Sequence, residues 1–127
     1  ILGWNQHFYG YTLFICKKHA TELYELDKSF RAKFMEEMII VAKAVSTAFD
    51  CDKMNYECLG NGDCHLHWHL FPRVFGDLGD CGNDGKGPVW WLPKEIMWNN
   101  DNIPNEQELE DMKVKLFEEL NKYIING

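Results

Sequence analysis

The chain has 127 residues, 13 basic and 20 acidic, for a formal charge of −7, and 46% of its positions are apolar and 14% aromatic. Side-chain content of this kind excludes a disordered chain, because burial can offset the entropy lost on ordering, and the length fits one domain over residues 1–127. Apolar runs such as Met38 to Ala42 fall far short of the ~20 residues that cross a bilayer. A net negative chain with one basic pair, Lys17-Lys18, does not suit a bulk nucleic acid as partner.

In chain order, Tyr11 to Cys16 is a β-branched and aromatic run that predicts a strand. Thr21 can cap a short helical turn through Leu26. Asp27 then caps a longer helix to about Phe49, with Phe30, Phe34, Met38, Val41 and Val45 on one face. Lys53 to Leu59 and Cys64 to Phe71 read as strands joined by Gly60-Asn61-Gly62-Asp63, residues that tolerate positive φ, hence an antiparallel hairpin. Glycines and aspartates from Gly76 to Gly87 predict a mobile loop, followed by Trp90, Trp91 and Trp98. Asn105 and Glu108 stand as N-cap and N3 of a final helix whose buried stripe is Leu109, Met112, Leu116, Leu120 and Ile124. The order predicts an α+β fold, an antiparallel sheet with the long helix and the C-terminal helix packed on one face.

Five cysteines (Cys16, Cys51, Cys58, Cys64, Cys81), an odd number without a CxxC pair or a secretory signal, point to reduced thiols and a cytoplasmic location. The chain opens at Ile1 in what reads as a strand, which leaves room for a leader or N-terminal segment ahead of it.

The most informative residues are His65, His67 and His69. On a strand, alternation would project all three imidazoles from one face, each ~6.6 Å beyond the last, with Leu66, Trp68 and Leu70 facing the helices. Three adjacent titratable rings are hard to explain as packing, since each needs a hydrogen-bond partner. A solvent-facing strand without function is one reading and a zinc site is another, although Cys64 would point away from the rings and the face lacks a fourth ligand. The third reading is nucleophilic catalysis, in which a neutral imidazole attacks and a neighbouring ring assists the departing group.

His-x-His-x-His followed by two apolar residues resembles the signature of the histidine triad (HIT) family of nucleotide hydrolases and transferases. Tyr11 to His19 is similar to that family's strand and its basic-histidine ending. Gly60-Asn61-Gly62 stands where the family has a glycine-glutamine-serine turn, and Pro72-Arg73 resembles its frequent tail. The likeness runs from Ile1 to about Arg73, while residues 74–127 are only loosely similar.

The resemblance implies a HIT-like sheet, a homodimer, and hydrolysis at the α-phosphate of a nucleotide, either a dinucleoside polyphosphate or an adenylate conjugate. By that likeness His67 would be the nucleophile, forming a nucleotidyl-histidine intermediate. His69 would contact the phosphate and help protonate the leaving group, and His65 would orient the middle ring. Family transferases acting on hexose phosphates carry Gln where this chain has His69, which favours hydrolysis. Backbone N–H groups at Gly60 and Gly62 would hold phosphate oxygens, with Asn55 and Asn61 as polar helpers. Gly3 stands where the family has a ribose-binding Asp or Asn, a task Asn5 could take over. Trp4 and Leu2 fall where the family forms its base pocket. No cofactor is required, although Mg²⁺ could accompany a polyphosphate substrate.

Remaining features have plainer readings. His19 lies where some relatives complete a zinc site with His65 and a CxxC pair, but no such pair exists here, so His19 is expected to finish the strand. Arg73 could contact phosphate or pair with a carboxylate. The three tryptophans are expected in the core or an interface, with a lid as the alternative. The acidic glycine loop, Asp77 to Asp84, fails the spacing of a calcium-binding loop. A scaffold that binds nucleotide with little turnover remains the rival function.

Overall fold

The computed structural model describes residues 1–82 and 85–126. Its frame is a three-stranded antiparallel sheet of β1 (Thr12–Ile15), β2 (Lys53–Glu57) and β3 (His67–Arg73), with β3 in the centre. The register pairs Leu13 with His69 and Ile15 with His67 on one side of β3, and Glu57 with His69 on the other. Alternation therefore puts Leu13, Ile15, Glu57, His67, His69 and Phe71 on one face.

Helix α1 (Lys28–Ala48) begins where expected: the Asp27 carboxylate accepts from the Phe30 amide, satisfying one of the donors a helix start leaves open. Its buried residues Phe34, Met38, Ala42 and Val45 face Phe14, Trp68 and Leu70 of the sheet. The C-terminal helix, here α3 (Glu106–Asn126), starts with a reciprocal cap, Asn105 Oδ1 accepting from the Glu108 amide and the Glu108 carboxylate from the Asn105 amide. It packs on α1 through Met112 and Leu116. The expected stripe does not reach its end. Ile124 is 72% exposed, because beyond Leu120 the contact with α1 passes to Tyr123, which lies under Lys43.

Two further differences bear on the site. The strands around the hairpin are shorter than the residue types predict: β2 stops at Glu57 and β3 starts at His67, so residues 58–66 form a wide connection. Asp63 Oδ1 accepts from the His65 amide, and the Leu66 amide and carbonyl bond to Ala20 and Cys16. These bonds take the backbone before His67 out of register with β2. Secondly, the histidine face is not left open along its length. The described residues of 74–103, including the short helix α2 (Lys94–Met97), fold across it, burying Leu78, Val89, Leu92 and Met97 against Phe8, Tyr11 and Phe71.

The expected mobile loop is thereby anchored at its described residues. Arg73, buried at the end of β3, makes a two-pronged ion pair with Asp77 (2.7 and 2.8 Å) and donates to the Gly87 carbonyl (3.0 Å) and to Asn55 Oδ1 (3.0 Å). Asn83 and Asp84, part of the calcium reading, lie outside the described residues.

Tyr11 enters β1 through Gly10, whose φ of +91° is a left-handed conformation that glycine adopts without strain. Its ring then lies against Gly3, where a Cβ would overlap two ring atoms of Tyr11. Tyr11 is clamped from the other side by Phe71, ring centroids 4.3 Å apart and nearly parallel, and cannot retreat. Gly3→Ala should therefore destabilise the fold by about 1–3 kcal/mol through overpacking, measured as a lower urea midpoint at unchanged slope. A midpoint equal to that of the parent would contradict this packing.

Candidate active site

The site is built where β3 begins. His67 and His69 project from the same face, ring centroids 4.7 Å apart, with Nε2 of one 2.9 Å from Nε2 of the other. His65 departs from the expected row of three. It precedes the strand, and its ring turns back so that Nε2–H donates to the Cys16 carbonyl at 2.7 Å, beside the His19 ring at 5.6 Å. What His65 contributes to its neighbour is backbone: its carbonyl accepts from His67 Nδ1 at 2.6 Å. A carbonyl has no proton to give, so Nδ1 of His67 carries the hydrogen and Nε2 of the neutral ring holds the lone pair.

A cavity of about 100 Å³ opens at this point, lined by Leu13, Ile15, Asp63, His65 and His67. On the far side of His69 stand three residues that the sequence reading did not assign to the site. Tyr11 Oη lies 2.6 Å from His69 Nδ1. Trp90 stands edge-on to His69 and Phe71, and its indole N–H donates to the Glu57 carboxylate at 2.7 Å. The tryptophans thus form a wall beside the histidines, continued by Trp98, tilted on Trp90, and by Trp4, stacked on Trp98 with centroids 5.4 Å apart. Trp4 keeps 57% of its surface exposed. The alternation that assigned the histidines to one face also applies to Leu13 and Ile15, but the register bringing Tyr11 to His69 depends on a pairing 58 residues apart.

Other expected site residues are dispersed. Gly60 and Asn61 line a separate cavity of about 530 Å³ with Thr21, Cys58 and Cys64, and Gly62 lines neither cavity. Asn55 shares the histidine face but is engaged by Arg73. Asn5 requires a correction. It is 3% exposed, with Oδ1 accepting from the His7 amide at 3.0 Å and Nδ2 donating to the Asn99 carbonyl at 3.5 Å, so it ties the N-terminal loop to residue 99 and is not open to a ribose. Arg73, likewise, is committed to Asp77 rather than to a phosphate. His19 and His65 face each other, but among the described residues no group of three or more His, Cys, Asp or Glu is arranged to hold a metal ion.

The electrostatics follow from the covering segment. Burial, with a smaller contribution from the charge of His67, holds His69 down at about 4, well under the usual imidazole value. Burial and then the Glu57 carboxylate push the Tyr11 hydroxyl above the usual phenol range. The native state therefore resists protonating His69 while the unfolded chain accepts a proton below about 6.5, so the unfolded state binds more protons between those values and stability rises with pH there. The thermal midpoint should fall as pH drops from 6.5 towards 4, and that part of the slope should be missing in His69→Gln. An identical slope in the variant would contradict a half-buried His69 that resists protonation.

A neutral imidazole pinned at Nδ1 with its lone pair at a cavity can act as base or nucleophile, and a second ring with a shared proton can assist it. Known proteins are similar to this chain in family and in fold. The HIT domain profile matches residues 5–76. A histidine triad protein from Bradyrhizobium japonicum superposes with a TM-score of 0.68 at 25% identity, over 90% of this chain and 79% of that one. One from Sinorhizobium meliloti gives 0.75 at 23% identity over 93% and 79%. A hypothetical histidine triad nucleotide-binding protein from Sulfolobus tokodaii gives 0.69 at 21% identity over 96% and 76%. Comparison with curated proteins returns no match. With the paired rings of His67 and His69 at the start of the central strand and the family profile spanning more than half of its length, the chain belongs to the HIT domain family.

Proposed function

We propose that this protein is a nucleotide hydrolase that cleaves at the α-phosphate through a covalent nucleotidyl group on His67. The observation that carries the reading is the 2.6 Å bond from His67 Nδ1 to the His65 carbonyl, which leaves the lone pair on Nε2 of a ring that lines the cavity, engaged only by the N–H of His69. Nε2 bonds to phosphorus as the bond to the leaving group breaks. Water then bonds to phosphorus, the N–P bond breaks, His67 recovers its lone pair, and the water's proton leaves to solvent. His69, 2.9 Å away, offers its N–H to the departing group once that group replaces His67 Nε2 as acceptor. Rigid placement of both rings on one strand lowers the entropic part of the barrier.

The residues lining the cavity at His67 include the Asp63 carboxylate and neither Lys nor Arg. A polyphosphate substrate would therefore bring its own counter-charge, and Mg²⁺ bound to that substrate is part of the proposal. Nucleoside recognition falls to the aromatic wall, with the exposed face of Trp4 available to stack on a base. A nucleotide-binding role with little turnover is favoured by one observation, the absence of a side chain at Gly3, whose space Tyr11 occupies. A panel of dinucleoside polyphosphates, nucleoside phosphoramidates and nucleotide sugars separates the readings. Mononucleotide release from one of the first two classes supports hydrolysis. Turnover of nucleotide sugars alone supports transfer, and binding without product supports the scaffold.

A further inference from the structure

Tyr11 is a buried residue to which the proposed reaction gives no task. It is 5% exposed, and its ring is held between Phe71 and the backbone at Gly3 with the hydroxyl 2.6 Å from His69 Nδ1. The hydrogen-bond chain of which it forms one end has a direction. At the other end the His65 carbonyl can only accept, so His67 Nδ1 carries a proton. With both rings neutral, the single proton between the two Nε2 atoms belongs to His69. His69 Nδ1 is then a lone pair, and Tyr11 is the donor to it.

We propose that Tyr11 is a positioning residue whose clamped hydroxyl fixes His69 as the Nε2–H tautomer, with that hydrogen aimed at His67 and at any group that displaces it. A consequence for substrate class follows, and it rests on the reading of His67 as nucleophile. A neutral His69 held this way gives a hydrogen bond but has no proton to spare. Transferring one would leave an imidazolate, or a tyrosinate if Tyr11 resupplied it, and burial opposes both anions.

The step that balances moves no proton. His67 Nε2 bonds to the α-phosphorus and the bond from phosphorus to the bridging oxygen breaks. The leaving phosphate takes that electron pair, stays anionic and accepts from His69 Nε2–H, while His67 keeps its Nδ1 hydrogen and becomes the cationic adduct. Phosphate chains are weak enough bases to leave in this form. The amine of a phosphoramidate must gain a proton as it leaves. The site is therefore matched to phosphoanhydrides, the dinucleoside polyphosphate class, rather than to phosphoramidates.

The test uses the full chain labelled with ¹⁵N at histidine, with long-range ¹H–¹⁵N spectra at pH 7, and steady-state kinetics on a dinucleoside polyphosphate and a nucleoside phosphoramidate. In the parent, His69 should show a protonated Nε2 and a bare Nδ1. Tyr11→Phe, which keeps the ring packing, should mix the tautomers and lower kcat on the polyphosphate about 10-fold with KM changed less than about 2-fold. Gly3→Ala, which crowds the clamped ring and strains its placement but keeps the hydroxyl, should shift the His69 signals in the same sense. The parent should turn over the polyphosphate at least about 10-fold faster than the phosphoramidate. A parent His69 protonated at Nδ1, a Tyr11→Phe spectrum equal to the parent's, or equal rates on both substrates would overturn the proposal. Absence of turnover on either substrate, with the His69 spectrum as expected, would strike the hydrolase reading and leave the role of Tyr11 in place.

Discussion

Replacing His67 with alanine should lower the proposed nucleotide hydrolysis by a factor on the order of 10⁴ to 10⁶, the range seen when a covalent catalyst loses its nucleophile. The loss should be in kcat. In the proposed reaction His67 Nε2 meets the phosphorus only as the bond forms, whereas the proposed nucleoside recognition rests on the aromatic wall, so KM should change little. Stability should hardly move, because His67 is half-buried at a cavity and supports no part of the three hydrophobic clusters. A variant that keeps more than about a tenth of the parent's kcat would assign the chemistry to another group.

Arg73→Ala should cost about 3–5 kcal/mol of stability, the penalty for leaving a buried charge without its partner. Arg73 and Asp77 keep only 7% and 9% of their side-chain surface exposed, and the guanidinium also bonds to Asn55 and Gly87. One side chain thereby ties β2, β3 and both ends of the 77–87 loop together. Removing it frees the segment that buries Leu78 and Val89 and that carries Trp90 to the face of His69. The thermal midpoint should fall by about 10 °C or more, and the aromatic wall should loosen with it. A paired Arg73→Met, Asp77→Leu variant should recover much of the loss, since an apolar pair leaves no unmatched charge. Arg73→Ala with an unchanged midpoint would show that the ion pair does not hold the segment.

Local rules carry much of the frame. The cap at Asp27, the reciprocal pair Asn105 and Glu108, and the three- and four-residue steps of α1 involve neighbours in sequence, so residue types alone locate them. The side chains of His67 and His69 share a face for the same reason, since alternation along a strand is local. His65 could not be placed that way. The strand start depends on Asp63 capturing the His65 amide and on Leu66 bonding to residues 16 and 20, contacts that a reading of spacing does not contain. Tyr11 on His69, Trp90 on Glu57 and Trp4 on Trp98 join residues 33 to 94 positions apart; the first depends on the pairing of β1 with β3 and the other two on where Trp90 and Trp98 fold back. Asn5 shows the converse error. Its residue type suits a ribose hydroxyl, but a buried amide is claimed first by the backbone around it.

The proposed chemistry rests on a bond from His67 to phosphorus. The most direct measurement is intact-mass spectrometry of the parent, quenched at alkaline pH within the first turnover of a dinucleoside polyphosphate, followed by peptide mapping. The predicted result is a single added mononucleotide, carried by the peptide that contains residues 65–69 and localised to His67. Full turnover with no adduct at any quench time, or an adduct that maps to another residue, would contradict it.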